Sequence, residues 1–359
     1  MITIRKKIYA VLISFSLLFL FGCSLEDTAT GTAKVFSSEE KLKVHFLDVG
    51  QGDSIFIELP NKETMLIDAG EYMYSSGVQN YIKNQGYSKI NYIVGTHPHS
   101  DHVGGLSEII KNFDFDKVYL PNAVSTTPTY VKLLEAIKSK GKKITRAQNG
   151  VTIINNGKLN ATIIGPVGKS YENLNNYSVV IKLTYGANSF LLTGDMETLA
   201  EKELTDNLKA DVLKAGHHGS NTSTSEDFLK KVSPKYAVIS CGKDNDYGHP
   251  HEKVIERLQN HSVKIYRTDL NGTITFTSDG KNIKINQEKT SLEDSSSQST
   301  NTKPQTQTKY VLNTSSRKIH YSTCPSVDKI STDNRLNTND YKKAISDGYA
   351  PCKSCKPVA

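Results

Sequence analysis

"VGTHPHSDHVGG", residues 94–105, sets three histidines and one aspartate within positions 97 to 102 and places two glycines directly behind them. It continues an apolar run, "INYIVG" (90–95), that reads as a strand. Two readings of the loop stand at this point: a metal cage, or a polar turn after a strand. Side chains alternate along an extended chain, so His97 and His99 point the same way and can share one cation. Where the chain turns into a helix, Asp101 and His102 swing toward a second position. Neutral imidazoles with a carboxylate suit Zn²⁺ or Mn²⁺. A chance turn would need four such residues by accident, so the cage is the expectation.

Outward from this loop the pattern is one of alternating elements. Before it, "KVHFLDV" (43–49), "SIFIEL" (54–59) and "TMLIDAG" (64–70) read as strands, and 76–85 as a polar helix. After it come helices at 106–113 and 130–141, the second closed by Gly141. Strands follow at 161–165, 177–185 and 189–195, then a helix over 196–206. The strand "DVLKAG" (211–216), a helix at 225–232, the strand "YAVISC" (236–241), a helix at 251–260 and closing strands near 263–286 complete the run. Strands and helices alternate twice in similar order, which suits two packed sheets with helices on their outer faces.

Two ends of the chain stand apart from this body. Arg5, Lys6 and Lys7 precede "IYAVLISFSLLFLF", an apolar stretch short for a spanning helix, and "LFGCS" follows. That is the pattern of a bacterial lipoprotein signal over 1–22, with Cys23 acylated and the protein exported to the outer face of the cytoplasmic membrane. Residues 287–308 are mostly Ser, Thr and Gln with one aliphatic residue, and read as a flexible linker. The tail, 309–359, forms a separate small module. The formal charge of +7 is uneven: residues 23–285 balance 30 bases against 30 acids, whereas 309–359 carry nine bases and four acids. The main body is therefore not a strongly basic polyanion-coating domain, and the modest basic bias lies in the tail.

The chemistry-bearing residues have a family likeness. His-x-His-x-Asp-His after a strand resembles the signature of the metallo-β-lactamase superfamily. "FLDVGQGDS" (46–54), "LIDAG" (66–70), "LLTGD" (191–195), "DVLKAGHHGS" (211–220) and "YGHPHEKVIERL" (247–258) look, in that order, like the hydrolase domain of the ComEC competence-channel family. The resemblance implies an α/β fold, a metallo-β-lactamase αββα sandwich over 42–286, here without the channel and tethered by lipid. It implies two divalent cations, zinc or manganese, that activate water for attack on phosphorus.

Residue by residue, Asp195 ends an apolar strand behind a glycine, where an unpaired carboxylate is costly; the resemblance makes it the bridge between the cations. One of His217 and His218 completes the second cation's ligands and the other faces substrate. Related phosphodiesterases favour His217 as ligand and His218 as phosphate contact. His249, in a Gly/Pro loop, is expected to meet the leaving oxygen or a phosphate, with Asp101 and His218 as the other catalytic groups. Asp68 is expected to brace a ligand histidine. Many superfamily members place a further histidine before the bridging aspartate. Between His102 and Asp195 this chain has none, and Asn176 or Ser178 is expected to hold water there instead. The "GQGDS" turn, with Gln51, Asp53 and Ser54, is expected to bring backbone N–H groups to substrate. Lys214 and Cys241 are expected to be structural or rim residues, and His45 packing.

In the tail, His320-x3-Cys324 and Cys352-x2-Cys355 make a closed structural zinc set in a module with little core. The segments "KIHYSTCPSV" and "GYAPCKSCKP" resemble the small Ada-like zinc modules of some secreted bacterial nucleases. A disulfide is the alternative. Tyr310, Tyr321, Tyr341 and Tyr349 are read either as a nucleic-acid surface or as filler. The expected function is hydrolysis of phosphodiesters, DNA first among them. The alternatives are a cell-envelope phosphodiesterase, such as a phosphorylcholine esterase, and a DNA-binding module with a weak catalytic site. The Trp-rich choline-binding repeats of such esterases have no counterpart, since the chain has no Trp.

Overall fold

The computed structural model describes residues 40–288, 310–327, 329–331 and 334–358. The expected signal peptide and Cys23 lie outside the described residues, as do 289–309 of the expected linker and tail. Among the described residues no helix is long and apolar enough to cross a membrane.

The alternating apolar strands assemble into two sheets. The first has eight strands in the order Ile283–Gln287, Ile274–Ser278, Leu42–Phe46, Ile55–Glu58, Thr64–Ile67, Lys89–Val94, Asp114–Pro121, Ile144–Ala147. The second has seven, in the order Lys264–Arg267, Tyr236–Ile239, Val212–Lys214, Asn188–Leu192, Val180–Tyr185, Leu159–Gly165, Val151–Asn156. Between the sheets lies a core to which both contribute. Phe276 of the first sheet meets Phe46 and Phe190 edge-on, with ring centroids 5.8 and 6.3 Å apart. Full burial of such a ring stabilises by about 1.5–3 kcal/mol. The outer faces carry helices: Val78, Leu106, Ile109 and Leu133 pack on the first sheet, and Leu229, Val254 and Leu258 on the second. The four layers are helix, sheet, sheet, helix.

Local chemistry sets the helix limits. Pro128 opens the helix Pro128–Ser139, and the Thr127 hydroxyl accepts the Tyr130 amide. The helix expected over 196–206 is shorter, Thr198–Glu203. Leu204 turns extended because Leu204, Leu208 and Ala210 are all buried against the second sheet, and packing overrides helix propensity.

The topology places the site. Strands from Thr64–Ile67 to Ile144–Ala147 run parallel, as do those from Asn188–Leu192 to Lys264–Arg267. Asp68, the His97–His102 loop, Asp195, His217–His218 and His249 each follow the carboxyl end of one of these parallel strands. In open α/β sheets that end is where chemistry collects.

The described residues within 310–358 hold a four-stranded sheet, Arg335–Thr338, Tyr310–Asn313, Lys318–Tyr321, Ala350–Pro351, and the helix Tyr341–Ser346, capped by Asp340. Tyr310 and Tyr349 are buried with Leu312 and Ile319, and Tyr321 and Tyr341 pack against them. Of the two readings of the tail tyrosines, filler is the one the packing supports.

Candidate metal centre

His97 and His102 are fully buried, and the helix Ser100–Val103 begins between them. His102 Nδ1 stands 2.8 Å from Asp68 Oδ2, and Asp68 also accepts the Thr96 amide at 2.8 Å and its hydroxyl at 2.6 Å. A carboxylate only accepts, so Nδ1 carries a proton and Nε2 is turned inward, where its lone pair would meet a bound cation. Asp68 thus holds the ring that the sequence expected it to brace. His218, 1 % exposed, repeats the device: Nδ1 donates to the Ser240 carbonyl at 2.9 Å, and Nε2 faces Asp195 Oδ2 and Asp101 Oδ2, both at 3.3 Å. His102 Nε2 lies 3.2 Å from the same Asp195 oxygen.

Backbone geometry makes this convergence possible. His217 and His218 both take left-handed φ values, 48° and 53°, an arrangement that costs of order 1–3 kcal/mol per residue. Gly194, at φ +53°, precedes Asp195, and a Cβ there would stand 3.0 Å from Ser178 Oγ and from Thr96 Cβ. Gly52 approaches the His-Asp loop so closely that a Cβ would lie 2.3 Å from the Asp101 carbonyl oxygen. The Asp53 amide donates to that carbonyl at 3.1 Å. The turn's Asp53 N–H therefore serves the loop, which corrects the expectation that it serves substrate.

The donors fit a cation. His102 Nε2, His218 Nε2 and Asp195 Oδ1 are buried without hydrogen-bond partners. Ligand atoms of Asp101, His102, Asp195 and His218 all lie within 4.8 Å of one another. Burial alone would lower the pKa of His102, yet Asp195 and Asp101 outweigh it and hold it well above the usual histidine range. Against the same burial, Asp195 and Asp101 push His218 up to about 10. Burial would raise Asp195, and His102 and His218 draw it well below the usual carboxylate range. Such a demand for positive charge in a buried spot is one that a divalent cation meets. His97 is the contrast: burial and His102 keep it neutral, its pKa well below the ordinary value. Its Nε2 lies 3.0 Å from His99 Nδ1 and 3.9 Å from Asp195 Oδ2, a second and more open grouping.

His217 departs from its expected place. Its side chain is 23 % exposed, Nδ1 is 3.3 Å from Glu197 and 3.2 Å from Thr222, and Nε2 is 3.9 Å from Asp195 Oδ2. The order expected of the pair is corrected: the second left-handed residue turns His218 into the buried group and leaves His217 at the rim. Asn176 and Ser178 are both engaged with backbone amides. The Asn176 side-chain oxygen accepts the Glu197 amide at 3.2 Å, and Ser178 Oγ accepts the Asp195 amide at 3.0 Å, 3.4 Å from His97 Nδ1.

Above these groups opens a cleft of about 480 Å³, lined by Gln51, His99, Asp101, Asp195, His217 and His249 among others. The Gly242 amide donates to Gln51 Oε1 at 3.0 Å, which fixes the side-chain amide with Nε2 toward His249 Nδ1, 3.4 Å away. His249 Nδ1 is then the acceptor, and Nε2 carries the proton. Burial and the neighbouring His218 and His217 bring its pKa down to about 4.

Asp53 and Lys214 are the site residues that sequence reasoning underrated. Lys214 is fully buried, with Nζ 2.9 Å from Asp53 Oδ2 and 2.9 Å from the Ala215 carbonyl. Asp53 lies behind both buried imidazoles, 4.0 Å from His102 Nδ1 and 3.6 Å from His218 Nδ1. A lysine inside "DVLKAG" was the available signal, since full burial of Lys requires a partner. Cys241 is buried beside Asp269 and its thiol is pushed up to about 12, an inert group. His45 packs as expected, between Glu58 and Thr275 at 3.0 and 2.8 Å.

The tail holds a second donor set. His320, Cys324, Cys352 and Cys355 bring their ligand atoms within 4.8 Å of one another, and all three cysteines are free thiols.

Residues 47–243 match the metallo-beta-lactamase superfamily. The chain is similar to ComE operon protein 3 of Bacillus subtilis, 33 % identical over 280 residues that cover 72 % of this chain and 34 % of that protein. It is also similar to competence protein ComA of Neisseria gonorrhoeae, 32 % identical, covering 66 % of this chain and 32 % of the relative. Recombination protein 2 of Haemophilus influenzae is 32 % identical over 70 % of this chain and 31 % of its own length. The chain spans about a third of the length of these relatives.

Proposed function

The chain belongs to the metallo-β-lactamase superfamily, and on that premise we propose that its cleft hydrolyses phosphodiester bonds, with DNA as substrate. The observation that carries the reading is the set of buried atoms without hydrogen-bond partners, His102 Nε2, His218 Nε2 and Asp195 Oδ1, beneath an open cleft that Asp101, Asp195 and His218 line. The word recombination in one relative's name is in keeping with DNA.

Divalent cations held by Asp101, His102, Asp195 and His218, with His97 and His99 beside them, would supply Lewis acidity and lower the pKa of water toward neutrality. The chain's own groups do the rest. Asp68 and the Ser240 carbonyl keep two imidazole lone pairs aimed inward. Asp101, partly open to the cleft, touches both the buried set and the solvent side. His249 Nε2–H can donate to a phosphoryl oxygen or to the leaving oxygen. His217 takes the rim position from which a side chain contacts substrate.

Cleavage of single- and double-stranded oligonucleotides and of bis(p-nitrophenyl) phosphate, with and without chelator, tests this directly. If Zn²⁺ and Mn²⁺ both fail to support cleavage of any of them, the reading fails. Within it, His218→Ala should strip metal from the hydrolase site. His217→Ala should retain metal and lower kcat/KM by roughly 10²-fold, the scale of a catalytic hydrogen-bonding group. Elemental analysis showing depletion in His217→Ala and normal content in His218→Ala would restore the order expected from the sequence.

We extend the proposal to both ends. Cys23 is the expected lipid attachment, which would hold the enzyme at the outer face of the cytoplasmic membrane. The tail set would bind one zinc: His320 Nδ1 is buried without a partner, and the small clusters around Tyr310 and Val311 leave little other core. The double change Cys352→Ser and Cys355→Ser should remove one zinc per chain and make 310–358 susceptible to protease while the body stays resistant. Unchanged zinc stoichiometry in that variant would refute the tail site.

A further inference from the structure

A second cavity of about 590 Å³ lies beside the cleft, lined by Asn122, Arg146, Gln148, Asn149, Lys169 and Tyr177 among others. Two segments separate it from the cleft, and each faces both. In the loop after strand Asp114–Pro121, Asn122 lines the second cavity while Ser125 and Thr127 line the cleft. In the 3-10 helix Leu174–Tyr177, Leu174 lines the cleft and Tyr177 the second cavity. A chain lying in the cleft and crossing this wall enters the second cavity next.

The charge there is one-sided. Arg146 and Lys169 are exposed, and among the described residues neither has an acidic group within ion-pair distance. Glu203, which accepts from the neighbouring Gly168 amide, is also engaged by the Tyr171 hydroxyl. Arg146 also ends a run, Lys138, Lys140, Lys142, Lys143 and Arg146, that contains no acid, in a body whose charges balance only when this run is counted. All five are exposed, along the helix end and the edge strand Ile144–Ala147. Charging an edge strand also discourages strand-to-strand association, but that role leaves the unpaired Lys169 and the amide-rich lining unexplained.

We propose that this cavity binds the phosphate backbone of the single-stranded nucleic acid whose scissile bond lies in the cleft, with the basic edge guiding the strand in. The inference rests on the phosphodiesterase reading of the cleft. Two guanidinium and ammonium groups, three side-chain amides and one tyrosine ring match a strand's phosphates and a base face. The volume is on the scale of a nucleotide or two.

The test uses the full chain carrying Asp195→Asn, so that bound strands stay intact. Binding of a labelled 20-nucleotide single strand is followed by anisotropy across a salt series. Adding Arg146→Gln and Lys169→Gln should raise Kd about tenfold and lower the slope of log affinity against log salt by about 1.4, two lost phosphate contacts at roughly 0.7 each. In the active background the same pair should lower kcat/KM more for the 20-mer than for bis(p-nitrophenyl) phosphate, which is too small to reach across the wall. An unchanged slope, a loss equally large on duplex, or an equal loss from Lys158→Gln at the turn before strand Leu159–Gly165 would each overturn the subsite. Failure of the parent to bind the 20-mer would overturn it too. Binding and slope as expected, with no cleavage by the active chain, would instead overturn the reading of the cleft and keep the subsite.

Discussion

Asp195→Asn should reduce hydrolysis of every diester substrate by roughly 10³-fold or more, about 4 kcal/mol of lost barrier reduction, with the fold intact. The residue sits where four imidazoles meet: its Oδ2 is 3.2 Å from His102, 3.3 Å from His218 and 3.9 Å from both His97 and His217, and its Oδ1 has no hydrogen-bond partner. The amide conserves shape, so packing against Ser178 and Gly194 should survive, and the thermal midpoint without metal should move little. What is lost is the anion. An amide offers one neutral oxygen in place of two charged ones, and its NH₂ turns a donor toward a pocket built for a cation. Two readouts belong together: kcat/KM at saturating Mn²⁺ or Zn²⁺, and bound metal by elemental analysis. Near-normal turnover with near-normal metal would remove Asp195 from the centre of the mechanism.

Much of this centre was legible in advance because its residues are crowded in sequence. His97, His99, Asp101 and His102 lie within one loop, and period-two alternation followed by a helical turn is enough to split them between two positions. The layered fold was legible for a similar reason, since the runs "MLI" (65–67) and "YAVI" (236–239) are continuously apolar and announce burial on both faces. The strands Asp114–Pro121, Ile144–Ala147 and Val151–Asn156 mix exposed charged or polar residues with buried ones in no regular alternation, and their pattern gave no such signal. The exchange of His217 and His218 was not legible at all. Adjacent residues differ in direction by their φ and ψ, and two successive left-handed conformations at non-glycine positions are dictated by tertiary context, not by local preference. The same holds for Asn176, whose amide could be placed near the site but whose actual partner, the Glu197 backbone, is 21 positions away.

Lys214→Met should destabilise the body by about 3–5 kcal/mol, the usual consequence of removing one member of a buried ion pair. For a domain of this size that is a fall of roughly 10 °C in thermal midpoint. Lys214 and Asp53 are each at most 1 % exposed, and their charged atoms are 2.9 Å apart. Methionine fills the space of the lysine stem, so the loss is of charge and hydrogen bonds, not of volume. Asp53 is then left as an uncompensated carboxylate, its Oδ1 already without a partner. If the pair is the unit, Asp53→Asn in the same chain should recover much of the loss, and the double-mutant cycle should show a coupling of at least about 2 kcal/mol. Additive losses would show that the two side chains act independently. The position of Asp53 behind His102 and His218 adds a further expectation. A divalent cation held by those imidazoles lies close enough to offset part of the stranded negative charge. The deficit of Lys214→Met should therefore be larger in chelator than in saturating Zn²⁺, measured as midpoint differences from the parent under each condition. Equal deficits would mean that Asp53 and Lys214 are a structural pair with no electrostatic bearing on the centre. A smaller deficit in chelator would mean that the lysine is needed chiefly when the cation is present, as a counterweight to ligands drawn toward it.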